Sequence, residues 1–327
     1  MTSDTAATRV LVLGATGTIG RATVSALVGN GHEVVCFVRP QSASKPTPNF
    51  SGASIRFGDV SKPESLARDG FQGEHFDVLV SCLASRTGAP KDAWAIDHLA
   101  HMHALQAAEH AGVKHFVLLS AICVQKPLLG FQHAKLAFEK ALIASDLTYS
   151  IVRPTAFFKS LSGQVERVKK GKPFLVFDNG ELTACKPISD ADLARYIASC
   201  ITDPSRHNRV LPIGGPGPAI TPKQQGEHLF ALLGNPPRFK QVPVKLLDVI
   251  IKVLSMLGRV FPAVAAKAEL ARIGRYYATE SMLVLNTETG HYDVAATPST
   301  GTETLFAYYE QLLGGKATVE RGEHAVF

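Results

Sequence analysis

The sequence predicts an α/β protein with a doubly wound parallel sheet, followed by a smaller, mostly helical C-terminal part. Three observations support this fold class. Six short apolar runs alternate with helical patterns over the first half of the 327 residues. The first of these runs ends in three spaced glycines. A content of 46% hydrophobic and 19% charged residues is sufficient for a large buried core.

The stretch after the first predicted strand carries the strongest functional signal. The apolar residues 10–13 break into glycines spaced by three and then into a helical pattern, which indicates a buried strand, a tight turn and a helix start. Such a turn exposes unpaired N–H groups to a pyrophosphate. The sequence therefore predicts a dinucleotide site, against the alternative of an ordinary strand-to-helix turn. The residues expected at this site are Gly14, Ala15, Thr16, Gly17, Thr18, Ile19, Gly20 and Arg21.

Charge and cysteine content indicate which ligands and which cellular compartment suit the chain. The net charge of +6 is spread along the chain, which suits anionic small molecules or an anionic membrane surface and predicts no nucleic-acid partner. Five dispersed cysteines without a C-x-x-C motif indicate reduced thiols in a cytoplasm. Residues 1–8 are polar and predict no signal peptide.

The predicted second strand, residues 33–38, ends at Arg39. The residue at this place in a doubly wound sheet faces the adenosine ribose, where an arginine favours the 2′-phosphate of NADP. Arg39 therefore predicts NADP, with Arg21 and Lys45 either adding to the positive site or serving as surface charges. Residues 41–54 are rich in Ser, Pro and Lys and predict a loop over the adenosine end.

The third and fourth strands are expected to bring further loops to the same edge. Asp59 and Val60 follow a strand at 54–57 and would border the adenine, unless they form only a strand-end turn. The strand at 76–81 ends in a loop expected to meet the pyrophosphate and ribose. The residues of that loop are Cys82, Leu83 and Ala84.

The helical pattern at 92–111 carries His98 and His101 on one face. Two histidines so placed could bind a metal, but no acidic or cysteine partner stands at ligand spacing. A solvated helix is the favoured interpretation, and no metal site is predicted.

The fifth strand, residues 115–119, ends at Ser120, and the next helix, residues 132–144, carries Lys135. A serine and a lysine at these places resemble the short-chain dehydrogenase/reductase superfamily, which also shares the glycine spacing. The resemblance implies a catalytic role for both. The tyrosine expected four residues before the lysine is replaced by Phe131, which has no proton to give.

The missing phenol indicates a particular chemistry. A hydride can still pass to a carbon–carbon double bond conjugated to a large π system, because the negative charge then spreads instead of appearing on one oxygen. Phe131, Ser120 and Lys135 are therefore the candidate catalytic residues. The proton donor is left open.

The second half of the chain is less regular. Residues 174–177 and 182–186 flank the turn sequence 178–180, which predicts a β-hairpin. Ser189 and Asp192 predict a helix cap of the capping-box type, with the helix running to about residue 201.

Two parts follow from these patterns. Residues 1–160 are expected to form the NADPH-binding Rossmann core, which includes a sixth strand at 148–152. Residues 161–327 are expected to form the substrate-binding part. Within it, residues of about 187–215 return to the core, because 210–213 is predicted as a seventh strand.

Residues 243–262 combine a long apolar sequence with one narrow polar stripe at helical spacing. Three interpretations stay open: a helix buried in the core, a lid over an apolar ligand, or a helix lying at a membrane surface. Charges interrupt the segment too often for it to span a bilayer. The stripe consists of Lys245, Asp248, Lys252, Ser255 and Arg259.

Five blocks carry a more specific resemblance, at 81–85, 92–97, 120–129, 153–160 and 184–189. With Phe131 and Lys135, they are similar to the NADPH-dependent divinyl chlorophyllide 8-vinyl reductases. The resemblance implies NADPH as cofactor and reduction of the 8-vinyl group of a divinyl chlorophyllide or protochlorophyllide to ethyl, in chlorophyll or bacteriochlorophyll biosynthesis. It further implies cofactor contacts at Pro154, Thr155 and Phe157. Candidate partners for the substrate carboxylate are Arg153, Lys159 and Lys186.

Two alternatives stay open. One is a non-catalytic NADP-binding regulator or assembly factor, and the other is an isoflavone-reductase-like enzyme acting on phenylpropanoids. The expected location is the cytoplasm, with peripheral association with the photosynthetic membrane as a further alternative. The oligomeric state and the preferred tetrapyrrole are left open.

Overall fold

A computed structural model describes residues 7–40 and 49–317. Seven strands form one parallel sheet. In their order across the sheet they are β3 (Ala53–Phe57), β2 (Glu33–Val38), β1 (Arg9–Leu13), β4 (Val78–Ser81), β5 (His115–Leu119), β6 (Thr148–Pro154) and β8 (Arg209–Ile213). The doubly wound fold and its seven predicted strands are confirmed.

Helices connect these strands and extend into the C-terminal half. Those of the first half are α1 (Thr18–Gly29), α2 (Pro63–Ser65), α3 (Pro90–Ala93), α4 (His101–His110), α5 (Gly130–Ile143), α6 (Phe158–Leu161) and α7 (Val165–Lys169). Those of the second half are α8 (Asp190–Ser199), α9 (Pro222–Leu232), α10 (Val244–Leu257), α11 (Pro262–Thr279) and α12 (Leu305–Leu313). Segments Leu66–Phe71 and Trp94–Ala100 are π-helical, and Ile122–Gln125 and Pro204–Arg206 are 3₁₀ turns.

Strand β1 shows why both faces of the sheet are covered. Val10 and Val12 belong to a core shared with α1 and α8, whereas Leu11 and Leu13 belong to a second core shared with α4 and α5. All four side chains are fully buried. Continuous apolar strands of this kind are typical of parallel sheets with helices on both faces.

The C-terminal half builds a third core beyond the carboxyl edge of the sheet. It joins Phe158, Phe174, Phe230, Ile273 and Tyr309, which come from five different elements. The Tyr309 hydroxyl donates a hydrogen bond to the Leu161 carbonyl at 2.6 Å, so even its polar atom is satisfied. This core lies next to the loops that follow β5 and β6.

The predicted hairpin around residues 178–180 is wrong. Strand β7 (Phe174–Phe177) pairs in parallel with β9 (Phe239–Val242). Segment 182–186 instead makes isolated bridges at Cys185. The turn itself forms, with positive φ at Asp178 and Gly180. Turn residues determine the reversal of the chain, whereas the partner of β7 is chosen by packing, as Phe174 against Phe239 shows.

The cap of α8 is half of the predicted capping box. The Ser189 hydroxyl accepts from the Asp192 N–H at 3.0 Å, as expected. The Asp192 carboxylate does not return to the cap, because it accepts from the Thr302 and Glu303 N–H groups and pairs with Arg195. Asp192 thus ties a distant segment of the chain to helix α8.

Helices α10 and α11 pack against each other as a pair. Helix α10 buries none of its residues, so the interpretation of this segment as a buried core helix is wrong. Among the described residues, no helix is long and apolar enough to cross a membrane. Lys45 and residues 41–48 of the predicted adenosine loop lie outside the described residues.

Candidate functional site

The glycine turn is shaped by close backbone contacts. Gly14 has a φ of +74°, and a Cβ there would lie 2.5 Å from the Cys82 carbonyl carbon. A Cβ at Gly20 would overlap the Gly14 carbonyl oxygen. At Gly17 the surroundings are open, with the nearest such contact at 3.6 Å. Gly14 and Gly20 therefore close the turn, and Gly17 leaves room for a ligand.

The start of α1 provides the donors for that ligand. Gly17 is the N-cap residue and no side chain caps the helix, so the first N–H groups are available to an anion. Ala15 is buried beneath the turn, while Thr16 and Gly17 are exposed. The arrangement fits the pyrophosphate of a dinucleotide.

Arginine and aspartate side chains lie at the expected adenosine end. Arg39 is exposed directly after β2 and is close enough to Asp59 for its charge to act on that carboxyl. Hydrogen bonds from Ser61, aided by nearby cations, lower the pKa of Asp59. Arg21 donates to the Thr16 carbonyl and lies over the Phe50 ring. Val60 is buried beside this edge.

The loop after β4 lies against the glycine turn. The Cys82 N–H donates to the Leu13 carbonyl at 2.9 Å, which holds the loop in place. Burial raises the pKa of the Cys82 thiol to about 12. The thiol is therefore uncharged and serves as a packing group, not as a nucleophile. Leu83 is partly buried and Ala84 is exposed.

Lys135 forms a buried ion pair with Asp97. Its Nζ lies 3.0 Å from Asp97 Oδ1, and the two side chains are 11% and 0% exposed. The same Oδ1 accepts from the Ser85 N–H at 3.2 Å. Burial alone would raise the pKa of Asp97, but the Lys135 charge and the hydrogen bonds outweigh it and lower the pKa. The carboxylate is therefore ionised, and its Oδ2 is buried without a partner among the described residues.

Asp97 lies on the π-helical segment Trp94–Ala100, a form that often marks functional sites. His101 follows one turn later and is buried, with Nδ1 bonded to the Ile96 carbonyl and Nε2 to the Ser81 hydroxyl. Burial and the Lys135 charge lower its pKa to about 4. His101 is therefore neutral. His98 packs instead against Trp94.

Ser120 belongs to a second buried ion-pair network. Its hydroxyl donates to Glu139 Oε1 at 2.5 Å, and the Glu139 carboxylate also pairs with Arg153. Lys135 and Glu139 are one turn apart on α5, so the two networks are neighbours. Ser120 and Lys135 line one narrow cleft together with Asp97, but the serine hydroxyl is engaged with Glu139.

Phe131 lies one turn before Lys135 on α5 and contacts the C-terminal half. Phe131 and Ile273 of α11 both approach the space beside Gly88. The hydroxyl of Tyr276, also on α11, donates to the carbonyls of Cys123 and Lys126 at 2.8 and 3.1 Å. Helix α11 is thus fixed against the loops that surround Phe131.

The chain after β6 approaches the same edge. Pro154 and Thr155 are buried, and Thr155 donates from its N–H to Ile213 and from its hydroxyl to Lys186. Phe157 bridges to Ile188. The Lys186 ammonium donates to the Thr297 carbonyl at 2.7 Å.

The charges predicted to meet a substrate carboxylate differ in availability. Arg153 is paired with Glu139, and Lys186 is bonded to Thr297. The side-chain ammonium of Lys159, on α6, has no hydrogen-bond or ion-pair partner among the described residues. Of these three cationic side chains, Lys159 is therefore the one available to a ligand in the described part of the chain.

Three residues of the site were not predicted from the sequence. Asp97 lies inside the block 92–97, but nothing in a helical pattern marks it as the partner of Lys135. Glu139 could be found from its spacing of four residues after Lys135, which places both on one helix face. Ile273 comes from a helix more than 130 residues away in sequence from Phe131, and local pattern gives no signal of that contact.

Comparisons with known proteins identify the family of the chain. The chain matches the NAD(P)H-binding family over residues 14–204. It is 50% identical over 333 positions to a protein of Oryza sativa subsp. indica named divinyl chlorophyllide a 8-vinyl-reductase, chloroplastic, with 98% of this chain and 82% of that protein covered. It is 28% identical over 244 positions to photosystem II assembly factor Ycf39 of Synechocystis, with 73% and 72% covered.

A solved structure shows the same fold. The NADPH-dependent quinone oxidoreductase of Escherichia coli, complexed with NADPH, aligns with a TM-score of 0.66 at 19% identity, covering 93% of this chain and 99% of that one. Half of the aligned residues are shared with the rice protein over nearly the whole chain. The chain belongs to the divinyl chlorophyllide a 8-vinyl-reductase family.

Proposed function

We propose that the chain catalyses the NADPH-dependent reduction of the 8-vinyl group of a divinyl chlorophyllide to an ethyl group. The observation that carries the proposal is the combination of a buried Lys135–Asp97 pair with Phe131 in the place of a phenolic acid, at the edge of a dinucleotide fold. The identity to the rice reductase supports the substrate.

NADPH, when bound, supplies the hydride, and this chain's residues hold it. The glycine turn and the start of α1 receive the pyrophosphate through Gly14, Ala15, Thr16, Gly17, Thr18, Ile19, Gly20 and Arg21. Arg39 takes the 2′-phosphate, and Asp59 and Val60 border the adenine. Lys135 holds the nicotinamide ribose. The remaining contacts come from Cys82, Leu83, Ala84, Pro154, Thr155 and Phe157.

The roles around the reacting carbon follow from the charges. Asp97 keeps the Lys135 ammonium in one position through their 3.0 Å contact. Ser120 keeps Glu139 and Arg153 in place instead of donating to the substrate. Phe131 offers an apolar wall for a flat ring system. A hydride and a proton convert the vinyl group to ethyl, and the negative charge formed between the two steps spreads over the conjugated ring.

Residues 161–327 form the substrate-binding part in this proposal. Lys159 lies just before it and is the partner we assign to the substrate carboxylate, because Arg153 and Lys186 are already engaged. The third core places α11 beside Phe131, where it would cover a bound pigment.

We also propose that the chain works next to the photosynthetic membrane, as a peripheral protein. The pigment substrate and the positive net charge of +6 support this location.

The experiment is a reductase assay. Purified protein is incubated with NADPH and divinyl chlorophyllide, and the Soret band is followed. We expect a small blue shift as vinyl conjugation is lost. Lys135→Met should remove the shift, whereas Lys140→Met, an exposed lysine on the same helix, should not change it.

A second candidate function is a non-catalytic NADP-binding assembly factor. The similarity to Ycf39 and the absent phenol favour it. If the chain has this function, we expect it to bind NADPH but to produce no Soret shift, even when it is saturated with NADPH. That result would replace the reductase proposal.

A further inference from the structure

Helix α10 exposes its apolar side and turns part of its polar side inward. Asp248 pairs with Arg275, and Ser255 accepts from Arg272 at 2.7 Å, with both arginines on α11. A Cβ at Gly258 would lie 2.9 Å from Ala265 of α11, so this flank also faces the partner helix. Helices of soluble proteins normally do the reverse.

The outward side is a continuous apolar surface. Eight large side chains of α10 and the turn after it are between 38% and 72% exposed. At 100° per residue they fall within an arc of about 140°. We call this set the outer face of α10. It consists of Leu246, Val249, Ile250, Val253, Met256, Leu257, Val260 and Phe261.

A row of cations borders the outer face along one side. Lys245, Lys252 and Arg259 repeat every seven residues and are exposed. Asp248 is the one acidic residue of α10, and it is neutralised by Arg275. The charge available at this border is therefore positive.

Two other occupants fit less well. The contacts favour α11 over α10 as the cover of the active site, because α11 supplies Ile273 and Tyr276 to the loops around Phe131, whereas α10 packs on α11. A second copy packed antiparallel on the outer face would bring the two rows of cations together, where they would repel each other. A second copy packed parallel would place its cations against the side of α10 that packs on α11.

We infer that the outer face of α10 docks on an anionic lipid surface, with the helix lying in the plane of the interface. Large apolar side chains would enter the acyl boundary while Lys245, Lys252 and Arg259 meet the headgroups. The inference deepens the peripheral location proposed above by naming the surface and the lipid charge.

The test is sedimentation of the full chain with vesicles. The probes are vesicles of pure phosphatidylcholine and of phosphatidylcholine with one-third phosphatidylglycerol. We expect the wild-type chain to bind the anionic vesicles and to lose binding as salt rises. Met256→Asp should abolish binding. Lys252→Gln with Arg259→Gln should weaken it roughly thirtyfold, from about fivefold per cation.

Matched controls separate the surface from general effects. Val294→Asp changes an exposed valine outside α10, and Lys240→Gln removes an exposed lysine on β9. Both should bind vesicles like the wild type. Unchanged thermal unfolding of Met256→Asp would show that it folds, as expected for a side chain that is 63% exposed.

Three outcomes would overturn the inference. The first is that the wild-type chain does not bind anionic vesicles, and the second is that Met256→Asp binds them as well as the wild type does. The third is a concentration-dependent dimer that Met256→Asp dissociates, which would assign the outer face to a second copy. The Soret assay without vesicles is run on the same variants. Met256 lies outside the site, so the two assays report on separate claims. A chain that reduces the pigment but does not bind vesicles refutes only the docking. A chain that binds vesicles but does not reduce the pigment refutes only the proposed function.

Discussion

Helices α1 and α10 are both amphipathic, yet they present opposite sides to their surroundings. Helix α1 buries Ile19, Val24 and Leu27 against the sheet and leaves its N-terminal N–H groups for a ligand. Helix α10 buries no residue and leaves an apolar side outside. The difference shows that α1 offers backbone N–H donors at its start, whereas the α10–α11 pair leaves an apolar surface exposed.

The largest effect is expected from a substitution at Gly20, at the start of α1. Gly20→Ala should destabilise the fold by about 3 kcal/mol and abolish NADPH binding, because the new Cβ overlaps the Gly14 carbonyl oxygen. Chemical unfolding and NADPH fluorescence titration measure the two effects. Gly29→Ala, at the open end of the same helix, is the control and should be neutral or slightly stabilising. Equal behaviour of the two variants would contradict the role of the turn.

The next largest effect is expected for the buried Lys135–Asp97 ion pair, which lies in the half of the chain that carries the glycine turn. Asp97→Asn should cost about 3 kcal/mol of stability and most of the turnover, since the Lys135 ammonium loses its counter-charge at 11% exposure. Glu109→Gln, an exposed carboxylate on α4, should change neither. Urea unfolding and the Soret assay decide the matter. A fully active and stable Asp97→Asn would remove the pair from the account.

The pH dependence of stability should also differ between the two regions. Burial lowers the pKa of His101 to about 4 and, with the charge of His207, that of His115 to about 4. Because these folded values lie below the ordinary 6.5, the unfolded chain takes up protons first as pH falls. The histidine contribution is therefore fully present above about pH 6.5 and is lost towards pH 4, by about 2 to 3 kcal/mol each.

The measurement is chemical unfolding at several values between pH 7 and pH 4.5. His115→Asn should remove a large part of the histidine-dependent slope, whatever its effect on stability at pH 7, and leave the part that comes from His101 and from His32, whose pKa burial also lowers. Residues 244–279 contain no histidine, so hydrogen exchange in α10 and α11 should follow this slope only through global unfolding. An unchanged slope in His115→Asn would count against this account of the sheet.

The smallest effect is on cofactor choice. Arg39→Asp should weaken NADPH binding by about tenfold, the size of one charged contact, and leave NADH binding nearly unchanged. Titration of both nucleotides gives the ratio. Arg68→Asp, an exposed arginine on the segment after α2, serves as the control. Equal losses for NADPH and NADH would exclude Arg39 from the 2′-phosphate site.

The sequence was sufficient to predict the sheet and the strand–turn–helix backbone around the glycine turn. Apolar runs such as 10–13 and 115–119 mark buried parallel strands directly, and the glycine turn is encoded within seven consecutive residues. These features are local, so periodicity and glycine spacing are enough to find them.

Features that depend on distant partners could not be predicted. Strand β7 finds its partner about 65 residues later, and Asp97 meets Lys135 across 38 residues. The polar stripe of α10 was visible in the sequence, but an amphipathic pattern does not show which side of a helix packs on a neighbour. In the structure, Asp248 and Ser255 of the stripe contact Arg275 and Arg272 of α11.

The most direct measurement of the central claim is isotope transfer. NADPH carrying deuterium on the transferred position of the nicotinamide is incubated with divinyl chlorophyllide and the chain, and the product is examined by mass spectrometry. The account predicts one deuterium in the new 8-ethyl group with the wild-type chain and with Lys140→Met, and none with Lys135→Met. An ethyl product without deuterium, or no ethyl product from a chain that binds NADPH, would contradict it.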